Sequence, residues 1–354
     1  MMWRTNSPAD NAGAYRVRLP KAPRPASLPP DATAGEALTV FLRSQRQRLA
    51  QAERAIRQGL PDAAFDLRTA VRRTRAALRT YRPLVADDQL VTELIDELRW
   101  LGREVSLARD AQVARERITA GLDELDEELR RGPVRALVAE HFDRVDAVAG
   151  AALAEALDSP RWLAVRGRLE RFVNEPVLAM PAERPAAVEL LVHLRSTAQL
   201  LLEAVRRRDT SDVGLHSVRK VTRHLRESAL VARPVVGAPA KRFDRRLEKL
   251  RRVLGEHQDS VVCRRALTEL LAEAERAGHS GFTFAVLYGQ ERARAEAVRT
   301  GLPRCWDRTW RPSYVDWLDA PVAVEEPVDS ALHDGGAVPP PRAAPPAPQA
   351  IPAK

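Results

Sequence analysis

The chain has 354 residues, long enough for one large domain or two ordinary ones, and carries 57 Lys+Arg against 48 Asp+Glu, a formal charge of +9. Its 5% aromatic content is thin for a single-strand stacking platform, and its two cysteines, Cys263 and Cys305, exclude a disulfide scaffold and a cysteine-based zinc site. The start of the chain lacks the apolar stretch of a signal peptide and no run approaches the ~18 apolar residues of a membrane span, so the expected setting is cytoplasmic, without a membrane partner.

Residues 1–34 hold six of the 26 prolines and a charge of +3, which predicts a disordered N-terminal tail. Residues 35–312 carry +10 and read as helix nearly throughout. They are rich in Ala, Leu, Arg and Glu, with apolar positions recurring at three and four, as in Leu38, Phe41, Leu42, Leu49 and Ile56. Breaks are expected at Gly132-Pro133, Ser159-Pro160 and Gly301-x-Pro303. Residues 313–354 hold nine prolines, carry −4 and end in Pro/Ala-rich sequence, which predicts a disordered C-terminal tail. The fold class expected is all-α.

The folded middle contains an internal repeat. Phe65–Arg75 aligns with His216–Arg226 without a gap, so that Arg68/Arg219, Arg72/Arg223 and Arg75/Arg226 coincide. Downstream, residues 98–113 match 247–262 and pair Asp110 with Asp259; upstream, an amphipathic helix precedes each copy, at about 36–58 and 185–208. The economical architecture is two similar antiparallel bundles of about four helices each, 35–176 and 185–312, related by duplication.

Each copy carries a row of bases. In the first they stand at Arg68, Arg72, Arg75, Arg79 and Arg82, on one helix face, with ~16 Å of rise from Arg68 to Arg79. The apolar set Leu67, Val71, Thr74, Leu78 and Tyr81 runs one residue earlier at each step. In the second copy His216, Arg219, Arg223 and Arg226 follow Leu215, Val218, Thr222 and Leu225 in the same way. One residue turns a helix by about 100°, so the bases flank the buried face rather than oppose it. Neither Arg68–Arg82 nor Arg219–Arg226 contains an acid. Two such rows beside a packing seam define a basic groove or pore suited to a polyanion, and Arg forks suit phosphate oxygens.

The competing structural reading pairs these arginines with acids on neighbouring helices, among them Asp110, Asp259, Glu97, Glu104 and Glu248; Asp110 and Asp259 read as orienters of an Arg. His216 and His224 share a face but stand ~12 Å apart along the axis, too far to chelate one ion alone, so no metal is expected. No phosphate-cradling glycine loop, nucleophile elbow or acidic pair for Mg²⁺ occurs, which favours a binding module over an enzyme, with no cofactor.

The helix pattern H-x-x-R-x-x-x-[RK]-x-x-R, duplicated and followed in each half by an (A)RD or (L)QD element, resembles the CHAD family, named for conserved histidines in an α-helical domain. LHSVRKVTRHLR (215–226) and VLGEHQDSVV (253–262) match its second half. DLRTAVRRTRAALR (66–79), SLARDAQV (106–113) and LDSPRWLAVRGRLERFV (157–173) match its first. The resemblance implies paired bundles with pseudo-twofold symmetry around a basic pore that binds inorganic polyphosphate, with association to polyphosphate granules. By motif position it implies a binding role for Arg68, Arg72 and Arg75, and for His216, Arg219, Lys220, Arg223 and Arg226; Arg79 extends the first row. The chain departs from the pattern at Phe65 in place of the first histidine, at Thr69 in place of the Lys220 counterpart, and at Glu227 where tyrosine is frequent. No ExExK signature of an upstream CYTH domain occurs, so a stand-alone copy is expected. Two other partners stay open: nucleic acid, through its phosphate backbone, and a protein partner engaged by the Pro-rich tail of a helical scaffold.

Overall fold

The first helix begins at a capping box. Thr33 Oγ1 accepts from the Glu36 N–H at 3.2 Å, and the Glu36 carboxylate accepts from the Thr33 N–H at 2.9 Å. From there α1 runs Ala34–Arg57, followed by α2 (Ala63–Thr80), α3 (Asp88–Glu124), α4 (Val134–Asp158) and α5 (Pro160–Asn174). The second half repeats the order with α6 (Ala186–Arg206), α7 (Asp212–Val236), α8 (Ala238–Arg276), α9 (Phe282–Thr309) and the single-turn α10 (Pro312–Val315). The computed structural model describes residues 28–29, 31–60, 62–207 and 209–319, and among them these ten helices and two isolated bridges, Thr33 to Pro185 and Val85 to Leu178, are the regular structure apart from short 3₁₀ turns.

Local chemistry explains most boundaries. Asp87, Ser159 and Ser211 cap α3, α5 and α7, each accepting from a backbone N–H three residues on. Gly132, at φ 83°, turns the chain into Pro133 and α4. Gly237, at φ 72°, is the one-residue joint between α7 and α8, a backbone conformation that favours glycine. The expected break at Gly301-x-Pro303 does not occur: α9 continues through it. Pro303 is exposed, so the hydrogen bond it cannot make is lost on the solvent side, where water replaces it.

Packing extends slightly past both expected limits of the folded middle. Ala32 and Ala34 are buried at the N-terminal side, and Leu318 is buried at the C-terminal side, where Trp317 meets Phe243 edge to face. Tails beyond 28–319 lie outside the described residues. From α1 to α5 and from α6 to α9 each helix packs on the next, and counterparts also meet: α1 with α6, α2 with α7 and α3 with α8. The halves are not two independent bundles with separate cores. Ala111, Ile118 and Phe142 of α3 and α4 belong to one apolar cluster with Cys263, Leu267 and Leu270 of α8 and Phe284 of α9. The first half has five helices rather than about four, because α5 is a full helix where its counterpart α10 has one turn.

The connection between halves is tied down by backbone bonds. Ala34 N–H donates to Arg184 O at 2.9 Å, Ala186 N–H to Ala32 O at 2.9 Å, and Ala86 N–H to Val177 O at 3.0 Å. Gly35 permits this closeness, since a Cβ there would come within 2.5 Å of Leu178 Cδ1. No helix of the described residues is long and apolar enough to cross a membrane.

Candidate functional site: a cluster of arginines between α2 and α7

The phase of the repeated helices decides what meets at their contact. Leu67, Val71, Thr74, Leu78 and Tyr81 of α2 are buried, as are Leu215, Val218, Thr222 and Leu225 of α7. Each large apolar side chain so placed contributes about 2 kcal/mol relative to exposure, which fixes the rotation of both helices. That rotation holds Arg68, Arg72, Arg75, Arg219 and Arg223 half-buried beside the seam. Arg79 and Lys220 remain exposed.

The two rows face each other. Arg219 feels Arg68 across the contact, and Arg223 feels both Arg72 and Arg68. Burial, reinforced by Arg72 and Arg219, pushes the Arg223 guanidinium down to about 9. Burial likewise lowers Arg68, Arg75 and Arg219; like-charge neighbours add to it, Arg72 and Arg109 at Arg68, Arg99 at Arg75, and Arg68 and Arg251 at Arg219. Arg75, Arg79, Arg219, Lys220 and Arg223 make no ion pair within 4 Å among the described residues, and the Arg219 Nε–H is buried without a hydrogen-bond partner.

Other members of the rows have acid partners. Arg68 lies 3.5 Å from Asp110. Arg72 Nε donates to the Glu227 carboxylate. Arg226 is held by Asp244 at 2.8 Å and Glu248 at 3.2 Å on α8, and Arg82 by Asp88 and Thr92. The orienting role expected of Asp110 is therefore seen as an ion pair. Asp259 makes none within 4 Å among the described residues; it is close enough to support the charge on Arg219, while its own carboxyl is raised by burial.

His216 and His224 have separate settings. His216 Nδ1 lies 2.5 Å from Gln258 Oε1, and the imidazole is shifted toward neutrality by burial, with Lys220, Arg219 and Arg223 acting the same way. His224 is turned from that cluster into a buried polar group, with Nε2 3.1 Å from Thr80 Oγ1, whose hydroxyl also lies 2.7 Å from Ser228 Oγ. No group of three or more metal-capable side chains is present among the described residues.

Four participants escaped the sequence reading: Arg73, Arg109, Arg251 and, as a counterion, Glu227. Glu227 follows directly on the acid-free stretch and stands one helical turn beyond Arg223, but its pairing with Arg72 joins residues 155 apart and has no local signal. Its side chain is 3% exposed, and its charge acts on Arg73, Arg75 and Arg223 as well.

The architecture is thus all-helical, with arginines of α2 and α7 half-buried beside the contact between those two helices. The chain belongs to the CHAD family: residues 40–268 match the CHAD domain, well over half of its length. It is 29% identical over 289 residues to the uncharacterized proteins MT2285 and Rv2226 of two Mycobacterium tuberculosis strains, covering 80% of this chain and 53% of each of those proteins. It spans about half the length of these curated relatives. Among solved structures, PptA from Streptomyces chartreusis superposes with a TM-score of 0.67 at 22% identity, over 78% of this chain and 99% of that one. The CHAD domain from the plant Ricinus communis does so with a TM-score of 0.63 at 23% identity, over 80% and 96%. Both likenesses concern the fold.

Proposed function

We propose that the arginine cluster between α2 and α7 binds inorganic polyphosphate, as a binding module without chemistry of its own. The observation that carries this reading is the set of half-buried guanidiniums without acid partners, Arg75, Arg219 and Arg223, gathered where Arg68 and Arg72 also converge. Holding like charges together in a partly desolvated site is unfavourable for the empty protein, and a bound polyanion converts that penalty into attraction. Family membership supports the same reading, because CHAD domains occur in polyphosphate-related proteins. His216 and Lys220 flank the cluster at the start of α7 and extend its reach; Arg226, held by two carboxylates, contributes field rather than a free fork. Localisation to cytoplasmic polyphosphate granules follows from the same reading.

The test is retention on immobilised long-chain polyphosphate at low salt. Wild-type protein is expected to bind, with log affinity falling nearly linearly with log salt, as for other polyanions. Arg219→Glu with Arg223→Glu is expected to abolish retention while leaving the far-ultraviolet helical signal intact. Unchanged retention by the double variant refutes the site. Displacement of polyphosphate by duplex DNA at equal phosphate would instead favour a nucleic-acid backbone as the ligand.

A further inference from the structure

The two rows are matched along their arginines but not at their first position. In the second half His216, one turn ahead of Arg219, is bonded to Gln258 of α8. The aligned residues of the first half are Phe65, one turn ahead of Arg68, and Arg109 of α3. These also meet, but by different chemistry: the Arg109 guanidinium carbon stands 5.9 Å from the centre of the Phe65 ring. Phe65 is 48% exposed and stands outside the core. Arg109 in turn lies within electrostatic reach of Arg68 and Asp259, so the ring is contiguous with the anion-binding cluster rather than remote from it.

A flat apolar face beside a guanidinium is the setting in which nucleobases stack, since every base has a π-face and arginine adds a cation–π contribution. A bare polyphosphate chain has nothing to place on such a ring. We propose that this site also takes nucleoside oligophosphates, with the phosphates on Arg68, Arg219 and Arg223 and the base stacked on Phe65 beside Arg109. The assignment rests on the cluster being an anion site, and it adds an asymmetric, planar-headed ligand to it. The matched arginines hold the phosphates, and the Phe65–Arg109 pair, which replaces His216–Gln258 of the second half, selects the head group.

The experiment compares ATP with inorganic tripolyphosphate, both without divalent metal, by calorimetric titration of the full chain. Tripolyphosphate carries at least as much charge, so charge alone predicts that it binds as tightly or tighter. Stacking predicts that ATP binds about tenfold tighter, the typical effect of one base on one aromatic ring. Phe65→Ala is expected to remove that advantage and leave tripolyphosphate binding unchanged. Phe65→Tyr should keep the advantage, and Phe65→Leu should lose it despite its similar apolar bulk. Phe65 lies at the surface, so these variants are expected to fold. Equal or weaker binding of ATP by the wild type, or an ATP preference that survives Phe65→Ala, overturns the inference while leaving the polyphosphate reading intact. Failure of tripolyphosphate and long-chain polyphosphate alike to bind overturns both.

Discussion

Replacing Glu227 by glutamine removes one negative charge from the middle of the arginine row while keeping the side chain's shape and its capacity to accept from Arg72. The carboxylate is 3% exposed and pairs with Arg72, whose own side chain is 22% exposed and so reaches the solvent edge of the row. A phosphate bound to the cluster would stand on the order of 8 Å from this carboxylate, a repulsion of about 2 kcal/mol at an effective dielectric of about 20. Water at the open side of the row reduces this to about 1 kcal/mol. Glu227→Gln is therefore expected to tighten polyphosphate binding about fivefold at low salt. Arg72, released from its ion pair, becomes a further phosphate contact, and the slope of log affinity against log salt should steepen by up to about one unit. The same change costs about 1–2 kcal/mol of stability, because a charge-assisted bond is replaced by a neutral one. Polyphosphate titrations at four or five salt concentrations, with urea melts of both proteins, measure the three quantities together. Unchanged or weaker binding by a folded Glu227→Gln protein refutes the reasoning, since it means that the ligand does not approach the part of the row that Glu227 neutralises.

Acid should destabilise the fold through its buried imidazoles. Burial, with Arg79 and Arg75 adding to it, lowers His224 from an ordinary 6.5 to about 4, and His216 and His257 are shifted in the same direction. The unfolded chain therefore binds more protons than the native one between these values. The contribution is fully present above about 6.5 and is lost as pH falls toward 4, amounting to about 2 kcal/mol for His224 by pH 5. Thermal melts from pH 7 to 5 should show the decline, and His224→Gln should flatten it; an equal decline in the variant would locate the effect elsewhere. In the first half, Glu53 accepts from Trp162 Nε1 at 3.1 Å and from Arg166 at 3.1 Å in a nearly closed pocket. Glu53→Ala leaves the indole N–H buried without a partner and is expected to cost about 2–4 kcal/mol in a urea melt. A cost under about 0.5 kcal/mol would show that water reaches the site.

How far the sequence was legible can be followed residue by residue. The period of three and four in α2 and α7, and the one-step offset of Arg68, Arg72, Arg219 and Arg223 from their apolar neighbours, are local properties. Helix geometry alone converts them into bases lying beside a buried face, and each apolar residue named in those two sets is buried. The Ser159 cap and the left-handed backbone of Gly132 ahead of Pro133 are local as well, which is why Ser159-Pro160 and Gly132-Pro133 mark true boundaries. Gly301-x-Pro303 misled because a proline's cost depends on whether water can reach the carbonyl it frees, and exposure is not a local property.

The same distinction separates the site's composition from its state. The sequence by itself determined that the chain is helical, that its second half repeats the order of the first, and that two acid-free arginine rows lie at the margin of the core. Only the tertiary structure decided which of those arginines keep free forks. Arg72 meets Glu227 and Arg226 meets Asp244, while Arg219 and Arg223 make no ion pair within 4 Å among the described residues, Arg219 feeling Asp259 as well as Arg68 and Arg223 feeling mainly other arginines; α3 and α8 also fuse the halves through one core. The reason is physical: helix phase depends on neighbours three or four residues away, whereas the charge state and freedom of a buried guanidinium depend on side chains brought from other helices, Asp244 to Arg226 and Glu227, 155 residues off, to Arg72.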